Sequence, residues 1–336
     1  MQEYIGLLTQ RQDLTAEQAS AAMQVLMTGE ASPVHMSAFL VALAVKGETV
    51  DEITGFARTM REMATPVKTS RRPLVDTCGT GGDHSNTFNI STAAAFVVAG
   101  ADVAVAKHGN RSATSLCGSA DVLEALGVNV DASPEAVGRC IDEVGIGFLF
   151  ARTLHGAMKH VAPVRGELKV RTVFNILGPL TNPARACGQV MGVFDSRLVE
   201  PLARVLANLG ARRAFVVAGS DGLDELTLAG PSLVAEARAG RVNTYELNPG
   251  DLGLTEATRE AIQGGTADIN AGLLRAVLEG QSGPHRDIVA LNAACGILAG
   301  QDDADWADAV ALARESIDSG AALAKLESLI KTSHDS

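Results

Sequence analysis

Residues 73–100 read PLVDTCGTGGDHSNTFNISTAAAFVVAG, an apolar run, a glycine-rich run and a small-residue run in succession. The run 73–77 predicts a short strand, the glycine-rich run 78–83 a tight turn, and the small residues of 92–100 a helix. Glycines at 79, 81 and 82 admit positive φ and let backbone N–H groups come close to a ligand. Ser91 and Thr92 stand where the helix begins, at its positive end. A phosphate or diphosphate suits that geometry; read alone, the same run is also a plain tight turn followed by an N-cap. No GKS or GKT follows it and GxGxxG is absent, so it is neither a P-loop nor a Rossmann fingerprint.

Outward from this unit the α/β rhythm continues. A short buried strand is expected at 103–106, a helix capped by Ser119 to about 127, and another from Ser133-Pro134 to about 144. Strands follow at 148–150, 189–194 and 214–218, the last two around a helix at 197–209. Residues 233–247 read as two strands joined at Ala239-Gly240, and helices fill 268–278, 287–298 and 304 onward. Alternating strands and helices imply a mostly parallel sheet covered by helices. Before residue 66 three helices are expected, opened by Thr15-x-x-Gln18, Ser32-Pro33 and Thr49-x-x-Glu52. That block is too small to bury a large core alone and should pack on something, such as a second subunit. The proline-bearing stretch 163–183 is expected to cross back to it. The fold class is therefore α/β: a small N-terminal all-helical domain over 1–70, joined by about 163–184, and a larger α/β domain over 71–162 and 185–336 with a mostly parallel central sheet.

The 336 residues carry 28 Lys and Arg against 39 Asp and Glu, a net charge of −11. That balance disfavours a nucleic-acid or anionic membrane surface, both of which need a basic footprint. Two basic islands interrupt it. Residues 103–119 hold Lys107 and Arg111 with no acid, and residues 152–172 hold Arg152, Lys159, Arg165, Lys169 and Arg171 against Glu167. An acidic chain with two such islands suggests an anion held at one place. No apolar run is long enough to span a membrane, and MQEYIGLLTQRQDL has neither a basic n-region nor an apolar h-region, so no signal peptide is expected. Cys78, Cys117, Cys140, Cys187 and Cys295 are scattered without a CxxC pair and read as reduced thiols of a cytoplasmic protein.

Three further constellations carry chemistry. Lys107-His108-Gly109-Asn110-Arg111 follows a strand, where open α/β sheets bind ligands, and Ser112, Thr114, Ser115 and Ser119 add hydroxyls. Arg165, stiffened by Pro163, offers a fork suited to a carboxylate. Asp224-Glu225, after a strand and Gly219-Ser220-Asp221-Gly222, suits Mg²⁺, which takes one or two carboxylates plus phosphate oxygens. Each taken singly is also a solvated loop, a surface ion pair or a surface acidic pair.

Together these motifs resemble the anthranilate phosphoribosyltransferase family. DTCGTGGDHSNTFNISTAAAFVVA at 76–99 is similar to that family's phosphoribosyl-diphosphate loop, and KHGNRSATSLCGSADVLEALG at 107–127 to its second loop. HGAMKHVAPVRGELKVRTVFNILGPLTNPA at 155–184 resembles its hinge and anthranilate segment, and GLDELTL at 222–228 its metal loop. The resemblance spans the chain, with departures at His84, Leu116, Cys117 and Gly156. It implies a nucleoside phosphorylase/phosphoribosyltransferase-like fold, a homodimer through the helical domain, and the joining of anthranilate to 5-phosphoribosyl 1-diphosphate in tryptophan biosynthesis. It leaves room for transient contact with other enzymes of that pathway.

By the same resemblance, Gly79, Gly82, Asp83, Thr87, Asn89, Ile90, Ser91 and Thr92 would line the diphosphate and ribose. Lys107, His108, Gly109, Asn110, Arg111, Ser112, Ala113, Thr114 and Ser115, with Ser119, would hold the 5-phosphate and ribose. Gly79, His108, Asn110 and Arg165 would face anthranilate. Ser91, Asp224 and Glu225 would hold Mg²⁺, two ions in all, and no residue is expected to act as nucleophile or strong base. Two rivals remain: a pyrimidine nucleoside phosphorylase, which shares the fold, and a non-catalytic nucleic-acid-binding relative, which the −11 charge disfavours.

Overall fold

The computed structural model of the chain describes residues 1–83, 85–112 and 116–335. Its centre is a seven-stranded sheet. The strands are β1 (Leu74–Gly79), β2 (Ala104–Gly109), β3 (Ile146–Phe150), β4 (Gly188–Gly192), β5 (Arg213–Gly219), β6 (Ser232–Arg238) and β7 (Arg241–Leu247), in the order β3-β2-β1-β4-β5-β6-β7. β3 to β5 are parallel in that order, and β6 and β7 continue antiparallel as the hairpin expected at Ala239-Gly240.

Alternation along the strands explains the layers, because successive side chains point to opposite faces. Phe215 and Val217 of β5 enter the core under the buried helices Ile90–Gly100 and Pro284–Gly300. Ala214, Val216 and Ala218 enter a second core that includes Met23, Leu40 and Phe56 of the N-terminal helices, Val161, Phe174 and Leu180 of the crossing segment, and Leu202 and Leu206 of the helix Val199–Asn208. The helical bundle is thus packed on one face of the sheet, where the crossing segment meets it.

The bundle has four helices rather than three. Ala16–Thr28, Pro33–Lys46 and Val50–Met63 begin at the caps read from sequence, with both capping boxes closed. Gln2–Thr9 precedes them and has no side-chain cap, which removes the usual starting signal. Ser119 does not cap its helix as expected: the N-cap of Ser119–Ala125 is Gly118, and Asp121 closes the cap. Ser119 instead accepts from the Asn110 N–H at 3.2 Å, tying the helix to the loop after β2. No helix among the described residues is long and apolar enough to cross a membrane.

Candidate active site

The chain leaves β1 toward β2 and β3 on one side and reaches β4 and β5 on the other, so the strand order reverses between β1 and β4. Ligands of open α/β sheets bind in the crevice at such a reversal. A cleft of about 560 Å³ lies there, lined by the loop after β1, the start of the helix Ile90–Gly100, the loop after β2, and Asp224 and Glu225. Two facing glycines make the room. Gly79 and Gly192 are register partners at the ends of β1 and β4, and a Cβ at either would run into Asp224. Only the missing side chains let the Asp224 backbone and carboxylate sit over the strand ends.

The acidic pair is tied to the glycine loop and the helix start. The Gly81 N–H donates to Asp224 Oδ2 at 2.7 Å, and Glu225 accepts from the N–H and hydroxyl of Ser91. Burial, then repulsion from Asp83 and Glu225, holds the Asp224 carboxyl well above the usual range. Burial pushes the Glu225 carboxyl up to about 7, with Lys107 opposing and Asp83 adding to the rise. Thr80 Oγ1 and Thr92 Oγ1 are buried here with no hydrogen-bond partner among the described residues, and Asp83 shares a hydrogen bond with the Asp224 carboxyl. Crowded carboxylates and orphaned oxygens at a helix N-terminus are the donor set of a divalent cation with a phosphate ligand. Among the described residues no three acidic, His or Cys side chains close into a metal cage. Mg²⁺ generally takes one or two carboxylates and keeps waters and phosphate oxygens rather than a full protein shell.

Lys107 is buried, donates to the Thr77 carbonyl and lies 3.4 Å from Ser91 Oγ. Burial lowers its pKa, opposed by Asp76, Cys78 and Glu225. Arg111 does not point its charge at the cleft centre; its guanidinium pairs with Asp121 and Glu124, both at 2.8 Å. His108 shares a 3.2 Å Nε2–Nε2 hydrogen bond with His155 and also donates to the Gly178 carbonyl. Burial and the neighbouring His155 push the His108 ring down to about 3, so it is neutral at physiological pH. A neutral ring carries one N–H, so His155 supplies the proton of the shared bond.

Gly79, Gly82, Asp83, Thr87, Asn89, Ile90, Ser91, Thr92, Lys107, His108, Gly109, Asn110, Arg111, Ser112, Ser119, Asp224 and Glu225 all line this one cleft. Ala113, Thr114, Ser115 and the departure His84 lie outside the described residues. Arg165 does not line the cleft: its guanidinium stacks 5.2 Å from the Phe174 ring centroid. From the second basic island Lys169 and Arg171 line it instead, and Arg171 stacks on Phe194 and donates to the Gly82 carbonyl at 2.8 Å.

Asp76 is not among the site residues expected from sequence. Fully buried on β1, it accepts from the His108 N–H at 2.9 Å and from Asn182 Nδ2 at 2.8 Å, while Asn182 also donates to the Ala106 carbonyl. It therefore sets the relative positions of β1, β2 and the crossing segment. A charge inside an otherwise apolar strand was the available signal, since an isolated buried carboxylate is costly.

Comparisons with known proteins agree with this geometry. Residues 2–64 match the helical bundle domain of a glycosyl transferase family, and residues 71–323 its a/b domain. The anthranilate phosphoribosyltransferase of Symbiobacterium thermophilum is 58% identical over 334 residues, covering 99% of this chain and 98% of that protein. The crystal structure of the anthranilate phosphoribosyltransferase from Thermus thermophilus superposes with a TM-score of 0.94 at 49% identity, covering 98% of this chain and 99% of that one. The Saccharomyces cerevisiae anthranilate phosphoribosyltransferase in complex with PRPP and Mg gives 0.89 at 28% identity, covering 98% and 97%. Its complex with 4-fluoroanthranilate gives 0.88 at 28% identity, covering 98% and 96%. With both domains matched, and relatives alike from end to end, this chain belongs to the anthranilate phosphoribosyltransferase family.

Proposed function

We propose that this chain transfers the 5-phosphoribosyl group of 5-phosphoribosyl 1-diphosphate to the amine of anthranilate, giving N-(5-phosphoribosyl)anthranilate and diphosphate, in tryptophan biosynthesis. The observation that carries this reading is the placing of the GTGGD loop, a helix N-terminus and the Asp224–Glu225 pair around one cleft. The test is loss of anthranilate fluorescence on adding 5-phosphoribosyl 1-diphosphate and Mg²⁺.

The amine of anthranilate is neutral near pH 7 and has a free lone pair, so no strong base is needed. The barrier lies in breaking the bond from ribose C1 to the diphosphate oxygen. In this reading Gly79, Gly82, Asp83, Thr87, Asn89, Ile90, Ser91 and Thr92 receive the diphosphate, and the start of the helix Ile90–Gly100 stabilises the charge that develops on it. Lys107 and the loop through Ser112, with Ser119, hold the phosphoribosyl part; Ala113, Thr114 and Ser115 complete that loop. Asp224 and Glu225, with Ser91, would hold Mg²⁺, and three nearby carboxylates carry charge enough for two ions. The metal would supply charge neutralisation for the leaving diphosphate. His108, uncharged, gives the aromatic amine a neighbour that neither repels nor protonates it, and Gly79 and Asn110 complete that side. Holding the amine behind C1 contributes up to ~7–11 kcal/mol in well-aligned cases.

Arg165 is assigned the anthranilate carboxylate, which puts that end of the substrate beyond the cleft lining, toward Phe174. Burial lowers its pKa and its guanidinium is held over Phe174, one residue before Asn175 of the cleft wall. Arg165→Ala should raise KM for anthranilate about tenfold or more, the worth of a charge-assisted hydrogen bond, while 5-phosphoribosyl 1-diphosphate binding is spared. Steady-state kinetics with each substrate varied checks this, and equal loss for both would contradict the assignment.

A pH dependence follows from Glu225. Its carboxyl sits near 7 in the folded chain against an ordinary 4.5, and Asp224 is shifted the same way. A raised carboxyl means that the folded state binds the proton more tightly. The stability it contributes is complete below 4.5 and is lost as pH rises through about 7. With chelator present, the melting temperature should fall from about pH 5 to about pH 8, and Mg²⁺ should restore more of it at the higher pH. Calorimetry in both buffers reads this; an Mg²⁺ effect equal at both pH values would count against the metal assignment.

We also take residues 1–70, with about 163–184, as one domain and the remainder as the other; the crossing segment packs in one core with the bundle, which the sheet and the helix Val199–Asn208 also enter. Val34, Val41 and Val45, on one face of Pro33–Lys46, are 77%, 39% and 70% exposed. Such a stripe is suited to burial against a second copy. The chain is expected to sediment as a dimer of 34.8 kDa subunits and Val41→Asp with Val45→Asp as a monomer. A wild-type monomer at micromolar concentration would refute that arrangement. In this reading the enzyme works in the cytoplasm.

A further inference from the structure

A second cavity, of about 320 Å³, lies at the other end of β4, roughly one strand length or ~15 Å from the cleft. Arg58, Arg61 and Glu62 of the helix Val50–Met63 form one wall. Arg185 and Cys187, just before β4, and the turn 208–211 after the helix Val199–Asn208 form the other. Three arginines against one glutamate is an unusual lining in a chain with net charge −11.

The arginines are not neutralised locally. None of the three makes an ion pair with a described residue within 4.0 Å; Arg58 feels the longer-range attraction of Glu17, and Glu62 stands one helical turn on from it. Arg61 is oriented by donating Nε to the Leu180 carbonyl at 2.6 Å and Nη1 to the Leu209 carbonyl at 3.3 Å. Its other guanidinium N–H groups bond to no described residue. Burial, and then repulsion by Arg185, push Arg61 down to about 10, so two like charges face one another in a partly desolvated space. Arg185 is held at φ 53°, a left-handed conformation that glycine adopts without strain. One guanidinium fork fixed by carbonyls, with two exposed arginines lining the same cavity, offers recognition chemistry for phosphoryl oxygens.

We propose that this cavity is a second anion site, distinct from the cleft, which takes a small molecule through its phosphoryl group and bridges the helical bundle and the sheet. Arg58, Arg61 and Arg185 bind the oxyanion, and the volume leaves room for an organic remainder.

Orthophosphate is the probe, titrated calorimetrically into the full chain without metal. Wild type should show a binding event that Arg58→Gln with Arg185→Gln removes or weakens at least about tenfold, while Arg185→Lys retains most of it. Both positions are exposed, so the variants should fold, and far-UV circular dichroism checks this. Should the double variant fail to fold, Arg58→Gln alone carries the comparison. Ribose 5-phosphate and diphosphate, titrated in parallel into wild type and the double variant, identify the carrier of the phosphoryl group: binding that the double variant loses supports the site, and binding that it keeps in full belongs to the cleft and counts against it. Crystals soaked in tungstate should show anomalous density among the three guanidinium groups. Unchanged orthophosphate binding in the arginine variants overturns the proposal, as does tungstate held at crystal concentration without binding in solution.

Discussion

Asp224→Asn combined with Glu225→Gln should abolish Mg²⁺-dependent turnover, a fall on the order of 10³-fold or more, and leave the chain at least as stable as wild type. The two effects have opposite signs for one reason. Burial and mutual repulsion disfavour the ionised pair in the folded protein, so removing its charge relieves the fold. The same charge is what a divalent cation requires. Glu225→Gln keeps an oxygen to accept from Ser91, and Asp224→Asn keeps one for the Gly81 N–H, so the backbone that they orient should persist. Turnover measured beside a melting curve separates the cases. Retained activity sinks the metal assignment, whereas lost activity with a lower melting temperature would mean that the pair holds the fold instead.

Asp76→Ala should be the most damaging single change to stability, by about 2–5 kcal/mol, because it leaves two buried donors without an acceptor and removes an opposing charge from around Lys107. Lys107 shares that interior with Asp76, and the His108 N–H and Asn182 Nδ2 would lose their acceptor together. Urea unfolding should show a lower midpoint at unchanged slope. A change under about 1 kcal/mol would show that water or local rearrangement replaces the carboxylate.

Local patterns in the sequence account for most of the fold. The capping boxes at Thr15/Gln18 and Thr49/Glu52 are closed within four residues, and the hairpin turn at Ala239-Gly240 is equally local. Gln2–Thr9 escaped notice because its cap is a bare backbone. The site divides along the same line. The glycine loop, the loop after β2 and the acidic pair are contiguous motifs, and they meet in one cleft. What stayed hidden depends on partners far apart in the chain. Gly192 matters only because it faces Gly79 across β1 and β4 under Asp224, and Asp76 because Asn182, 106 residues later, comes back to it. The two basic islands illustrate both outcomes. Lys107 faces the cleft but is hydrogen-bonded within it, Arg111 is paired with acids, and Arg171 rather than Arg165 reaches the glycine loop. Net charge along a segment does not tell which cations point inward, because that is decided by stacking on Phe174 and Phe194.

Transfer to anthranilate is read out by following its fluorescence with the purified chain, 5-phosphoribosyl 1-diphosphate and Mg²⁺. The account predicts a fluorescence loss that needs all three components, with diphosphate released in equal amount. Fluorescence that stays constant while the chain cleaves a pyrimidine nucleoside with phosphate would contradict it.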